Sequence, residues 1–373
     1  FTCVHIHDAT VRNHDVRRLA AACYRKKFLV HVPFLSKNRS CNCIEQCNTQ
    51  RASFSFKRKK IVEVLRRVAM VKPEKLYIIA DQGRTPQERD DAEECRQLIE
   101  QEITWDCTVI KNYATENRGV YKNIGEGALW VFQHEEKAIF LEDDNLPEVS
   151  FFRFCKEMLE KYQDDTRILW VCGTNYLGDY QSPEGDSYVF TRHMLPCGWA
   201  SWASKFSRFY DGKLSLCESR EVMNRIQYVY CNRKVYRQYR NNWMREYGRI
   251  REGKPPISWD YQMDFSIKAN NLFGICPCKN QIKNIGVDEC SIHGGTSFET
   301  IMTQRFCGMD SFPIQFPLKH PDTVLEDYEF EKEIGKIILP PFRQRLKQSV
   351  SMFIRQKLNV PSDSSIKRYL IGK

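Results

Sequence analysis

At 373 residues the chain can bury a sizeable core, and it suits one large α/β domain with appendages or two smaller ones. A composition of 42% hydrophobic and 28% charged residues, a mean hydropathy of −0.54, and no apolar run near ~18 residues exclude a membrane-spanning helix. A net charge of +10 welcomes phosphate-bearing partners without choosing among nucleic acid, anionic lipid and nucleotide diphosphates.

The 16 cysteines are scattered along a long chain with no recognisable signal peptide, so reduced, buried thiols of a cytosolic protein are expected. Residues 1–50 differ from the rest of the chain. They are Cys/His-rich and lack sustained periodicity, and Cys41-x-Cys43-x3-Cys47 lacks the paired Cys-x2-Cys spacing of a zinc site, so a poorly ordered segment is expected.

From Ala52 the pattern is regular. Residues 52–56 alternate as a strand does, and Ile61, Val62, Val64, Leu65 and Val68 fall on one helix face. Lys75–Ala80 is a short apolar run suited to a buried parallel strand, closed by the polar Asp81-Gln82-Gly83-Arg84. A helix over about 86–101, a strand over about 106–111, a loop at Asn117-Arg118-Gly119, a helix over 124–133 and a strand over 137–141 come next. This alternation predicts an α/β fold with an open, mostly parallel sheet flanked by helices. Ligands of such sheets bind at the carboxyl ends of the strands, where Asp81, Asn117 and the acidic run Glu142-Asp143-Asp144 fall.

Three consecutive carboxylates after a buried strand repel one another unless a cation compensates. Oxygen ligands of this kind suit Mg²⁺ or Mn²⁺ held by one or two carboxylates plus substrate phosphates. The alternative is a turn into a helix near Pro147, capped by Asp144 or Asn145. Farther on, Asp260 and Asp264 stand four residues apart, on one face if the segment is helical. Asp260 is the candidate base that takes a proton from an acceptor hydroxyl, or else a helix cap; Asp264 is expected to face solvent or an arginine.

Ala138-Ile-Phe-Leu-Glu-Asp-Asp-Asn-Leu-Pro147, Ser150-Phe-Phe-Arg-Phe154 and Cys172-Gly-Thr-Asn175 together resemble glycosyltransferases of the GT-A fold. The likeness is to the bacterial surface-polysaccharide, family 2-like type, and more distantly to the N-acetylglucosaminyltransferase I group, over about residues 53–300. It implies Asp144 as the direct metal ligand, Glu142 and Asp143 at the ribose or beside the metal's ligand, and Asp81 at the nucleoside, with Asn117 in the same cofactor-binding set. Pro196-Cys-Gly-Trp-Ala-Ser-Trp202 resembles the family's loop in which an aromatic platform, here Trp199, lies against a sugar ring; core packing is the plainer reading of both tryptophans. Pro277–Gly286 and Ser291-Ile-His-Gly-Gly295 resemble the end of the catalytic domain, where His293 would complete the metal's coordination or touch the diphosphate. The family's opening strand and base-contacting turn survive here only as Ser53–Arg58.

The resulting expectation is a catalytic domain over 51–310 and a helical carboxyl-terminal extension over 311–373. Its activity would be a metal-dependent, inverting transfer of a sugar from a nucleotide-sugar donor to a glycan or lipid-linked acceptor. A nucleotidyltransferase, or a degenerate relative that binds glycan or nucleic acid, is the alternative; nucleic acid is not otherwise expected as a partner. Residues 342–358 read as a basic amphipathic helix, which can pack on the domain or lie on the inner face of a membrane.

Overall fold

The computed structural model describes residues 28–32, 56–286 and 306–358. Its centre is an eight-stranded sheet. In chain order the strands are β1 (Phe28–Val32), β2 (Lys75–Ala80), β3 (Thr108–Tyr113), β4 (Lys137–Glu142), β6 (Ile168–Cys172), β7 (Tyr188–Thr191), β8 (Trp199–Trp202) and β9 (Phe273–Pro277), arranged β3-β2-β1-β4-β8-β6-β9-β7. Two short strands, β5 (Asn145–Pro147) and β10 (Ile282–Asn284), form a separate antiparallel ribbon.

The expectation of a mostly parallel sheet is corrected to a mixed one. Among the described strands only β2 with β3 and β6 with β9 pair in parallel; β1 runs against both β2 and β4, β8 against β4 and β6, and β7 against β9. These pairings still leave β2, β3, β4, β6 and β9 pointing one way, so their carboxyl ends share one edge of the sheet. Asp81, the 114–119 loop, the 143–144 turn and Gly173–Asn175 all lie just beyond those ends.

Helices cover both faces. Helix α1 (Phe56–Val71) buries Ile61, Val64, Leu65 and Val68, the spacing of a single helical stripe. Phe56 therefore opens a helix rather than closing the expected strand, whose other residues lie outside the described ones. Helix α2 (Pro86–Glu102) begins in a capping box. The Thr85 side chain accepts from Glu88 N–H, Glu88 Oε2 accepts from Arg84 N–H at 2.9 Å, and Pro86 takes the first helical position. With helix α4 (Val149–Lys161), which buries Phe151, Phe152, Phe154, Cys155, Met158 and Leu159, these form one layer. Each such side chain contributes about 1.5–3 kcal/mol on leaving water.

The opposite layer holds helix α3 (a π-turn at Tyr121–Glu126 running into Gly127–Val131), α5 (Ala203–Phe209), α8 (Asp260–Ala269) and α9 (Tyr328–Ile338). Outside them, α6 (Arg220–Ile226) and α7 (Arg233–Arg251) pack Met223, Ile226, Val235 and Trp243 around Phe265. The core crosses the boundary expected near residue 310. Ile314 and Leu318 belong to the first apolar cluster, and Phe330, Ile334 and Ile338 to the second. Helix α10 (Phe342–Leu358) comes last, with the bounds read from the sequence. Among the described residues no helix is long and apolar enough to cross a membrane.

Candidate functional site

The ribbon of β5 and β10 places the acidic run. Asp143 and Asp144 form the turn between β4 and β5, and Asn145 pairs with Asn284 across the ribbon. Ile285 N–H donates to the Asp144 carbonyl at 2.9 Å. A helix cap at Asp144 or Asn145 is thereby ruled out. Three residues of strand intervene, and the cap of α4 is Glu148, whose side chain makes no capping bond.

Asn145, 1% exposed, donates from Nδ2 to Asp144 Oδ1 at 2.7 Å, while its own Oδ1 takes Gly198 N–H at 2.8 Å. Asp144 Oδ2 turns the other way, toward Gly286. A Cβ on that glycine would come within 2.5 Å of Asp144 Oδ2 and 2.8 Å of Asn284 Oδ1. Two oxygens thus converge where residue 286 has no side chain, and the half-buried Asp144 keeps access to solvent. Asn284 Oδ1 accepts Gly286 N–H at 2.8 Å, which fixes its direction.

No group of three metal-binding side chains occurs among the described residues. An oxygen pair from one carboxylate and one amide still suits a hard cation whose remaining positions are filled by water and phosphate. His293 lies outside the described residues, as do Cys41, Cys43 and Cys47. Glu142 ends β4 at 3% exposure, which favours the place beside the metal's ligand over the ribose for it; Asp143 is half-buried beside it.

Asp81 has a structural task that the sequence did not reveal. Its Oδ1 accepts Gln82 N–H and Arg118 N–H, both at 2.8 Å, and its Oδ2 accepts Gly119 N–H at 2.9 Å and Asn117 Nδ2 at 3.1 Å. Four donors fill the acceptor capacity of a carboxylate, so Asp81 holds the 117–119 loop and a nucleoside would have to displace one of them. Gly119, at φ +79°, makes the turn that brings two of these amides round. Asn117 also donates to Gln82 O at 2.8 Å and accepts Arg84 Nε at 3.0 Å, leaving the exposed Arg84 as the loop's outward cation.

The sugar platform expected at Trp199 is corrected. Trp199 is 1% exposed in β8, stacked on Phe140 at 4.0 Å and on Trp170 at 4.3 Å, with Phe206 and Trp259 beyond. A ring packed this way offers no face to a sugar. Its segment is a central strand because all four of its residues are buried, whereas the glycine before it suggested a loop. Gly198, at φ +62°, and Gly173 instead form a slot for Ile282; a Cβ on either would lie 2.5 Å from that side chain. Trp202 is likewise core, donating Nε1–H to Leu159 O at 2.9 Å.

Asp260 is in the first turn of α8 and is not its cap. The cap, Trp259, makes no side-chain bond, and Ser258 Oγ takes Tyr261 N–H at 3.0 Å while donating to Asp260 Oδ1 at 2.5 Å. Trp259, at the start of α8, stacks at 5.7 Å on Trp199, the partner of Cys172 at the end of β6, so the amino terminus of the helix lies toward the carboxyl edge. Glu246 of α7, 1% exposed, holds this segment by accepting Ile257 N–H at 2.6 Å and Ser258 N–H at 3.0 Å. Burial pushes the Glu246 carboxyl above its ordinary range, against the lowering effect of those two amides.

Asn284 Nδ2 donates to Cys197 Sγ at 3.5 Å, and Tyr176 senses both Cys197 and Asp260: burial first, then these two neighbours, holds its phenol well above the usual range. Tyr176 is thus a neutral hydroxyl. Asn284, Gly286, Tyr176 and Glu246 went unnoticed in the sequence, although Asn284 and Gly286 stand in the stretch that carried the family likeness.

No protein-family model matches the chain, and no curated protein matches it in sequence. The residues of the site themselves therefore carry the functional reading.

Asp264 does not face solvent. At 2% exposure it lies 3.5 Å from Lys268 Nζ and receives Tyr230 OH at 3.4 Å, and burial raises its carboxyl's pKa. Nearby, Glu331 of α9 accepts from Thr191 Oγ1 and, at 2.7 Å, from Arg192 N–H, and lies 3.4 Å from His193. This buried network ties α9 to β7. All ten cysteines among the described residues are thiols, and six are buried. Burial pushes Cys172 up to about 12, so such thiols are chemically quiet.

Proposed function

We propose that the chain is a glycosyltransferase of the GT-A type, which moves a sugar from a nucleotide-sugar donor to a hydroxyl of a glycan or lipid-linked acceptor with inversion. One observation carries the reading. An oxygen pair, Asp144 Oδ2 and Asn284 Oδ1, faces the gap at Gly286 on the carboxyl edge of the sheet, the edge at which α8 presents Asp260. The first would suit a cation that offsets the charge of a diphosphate; the second is a carboxylate from another element, as two substrates require.

In this reading Asp144 and Asn284 would hold Mg²⁺ or Mn²⁺, which when bound would supply positive charge against the leaving diphosphate. The acceptor oxygen forms the new bond to the anomeric carbon as the bond from that carbon to the phosphate oxygen breaks. Asp260 takes the hydroxyl proton; Ser258 fixes its Oδ1, so Oδ2 is the oxygen assigned to the acceptor. The 117–119 loop, with Arg84 at its rim, is assigned to the nucleoside end of the donor. A cytoplasmic location accompanies this reading.

The test is incubation with a panel of nucleotide sugars and Mn²⁺, following release of nucleoside diphosphate. Release from at least one donor, dependent on added metal, is expected. Pyrophosphate release would instead identify nucleotidyl transfer, and no release from any donor with any acceptor would leave a binding protein.

A further inference from the structure

We infer that α10, together with the outer face of α7, is a docking surface for an anionic lipid membrane. This inference is independent of the transfer chemistry. In α10, Phe342 is 68% exposed, Leu346 51%, Val350 49% and Phe353 62%. At 100° per residue these four fall within an arc of about 80°, a single apolar stripe along a helix about 25 Å long. None of the four belongs to the apolar clusters of the described core. A stripe of this kind, standing in water, calls for an outside partner.

The chemistry of that partner is set by charge. The 17 residues of α10 include Arg343, Arg345, Lys347, Arg355 and Lys357 and no acidic residue. Helix α7 shows the same bias on its outer side, where Arg233, Lys234, Arg237, Arg240 and Arg251 are exposed; its one acid, Glu246, is buried on the inner side. The two helices adjoin through α9. Gln238 of α7 donates to Ile338 O at 3.5 Å, Leu339 packs against the α7 cluster, and α10 starts at Phe342.

An anionic bilayer satisfies both features at once, since headgroups meet the cations while the apolar stripe enters the acyl boundary. A second copy of the chain would set five cations of α10 against five more. Nucleic acid would meet the charge but leave the aliphatic Leu346 and Val350 in water.

The experiment is co-sedimentation of the full chain with vesicles of phosphatidylcholine alone, or of phosphatidylcholine with phosphatidylglycerol. Binding to the anionic vesicles about tenfold or more tighter than to the neutral ones is expected, weakening with salt. The double substitution Leu346→Asp/Phe353→Asp abolishes it without changing the thermal midpoint, because both side chains are exposed; Asp144→Ala leaves it intact. Equal binding by the double variant, or none by the unaltered chain, overturns the inference. So does a dimer in solution that the double variant dissociates, or binding of an oligonucleotide but not of anionic vesicles.

Discussion

Asn145 donates to Asp144 Oδ1 at 2.7 Å, and this bond decides which oxygen of the carboxylate faces Gly286. Because Asn145 also takes Gly198 N–H, the direction of Asp144 is set by the start of β8, the strand next to β4 in the sheet. The acidic run is thus held by a buried amide, in a turn between two strands.

Gly198 is the position where that arrangement tolerates least. Alanine there would adopt a left-handed backbone and press its Cβ on Ile282, so Gly198→Ala is expected to cost about 2–4 kcal/mol. Urea unfolding measures it.

Asp81 makes a different kind of claim. Asp81→Ala removes the acceptor for four donors and should cost about 2–3 kcal/mol, with faster hydrogen exchange at the Arg118 and Gly119 amides. Exchange unchanged at those amides would show that the loop is held by something else.

Glu246 positions Asp260 through two amides. Glu246→Gln keeps an acceptor oxygen for both and should cost no more than about 1 kcal/mol near neutral pH, whereas Glu246→Leu strands them and should cost about 2–4 kcal/mol. Burial raises this carboxyl's pKa above its ordinary 4.5 in the folded protein. Between 4.5 and that higher value the folded chain binds more protons than the unfolded one, so stability is lost as pH rises through the window. The glutamine variant lacks this loss and should gain on the unaltered protein across it, as chemical denaturation at several pH values would show.

Lys205 titrates with the opposite sign of proton linkage. It is 4% exposed, donates to Tyr162 O at 2.6 Å and Asp165 O at 2.7 Å, and burial brings it down to about 8 from 10.5. Between those values the unfolded chain binds more protons, so stability rises with pH. Relative to Lys205→Met, the unaltered protein should gain about 1–2 kcal/mol between neutral pH and pH ~9.5.

The elements that the sequence revealed are those with one strong local pattern. Leu76–Ala80 is an unbroken buried run and Pro86–Glu102 opens on a proline suited to a first helical turn, so both were legible. Strand direction was not, because the register of β1 between β2 and β4 is a long-range choice that no local spacing encodes. Trp199 misleads for a related reason. Glycine before tryptophan suggests an exposed loop, but Gly198 is there for the close approach of Ile282, a contact 84 positions away in sequence. Asp144 and Asp260 could be singled out by chemistry, while the residues that aim them, Asn145, Ser258 and Glu246, act through hydrogen bonds visible only once the chain is folded.

The central claim is that Asp144 and Asp260 have separate tasks in one transfer, and it is tested most directly by following Mn²⁺-dependent nucleoside diphosphate release and sugar transfer in parallel. The unaltered protein, Asp144→Ala and Asp260→Asn would be compared, with the donor found active in the panel. Asp144→Ala is expected to lose both signals by about a hundredfold or more, with nucleotide-sugar binding weakened. Asp260→Asn is expected to bind donor normally and lose transfer by about a hundredfold or more. Transfer unchanged in either variant would contradict the assignment.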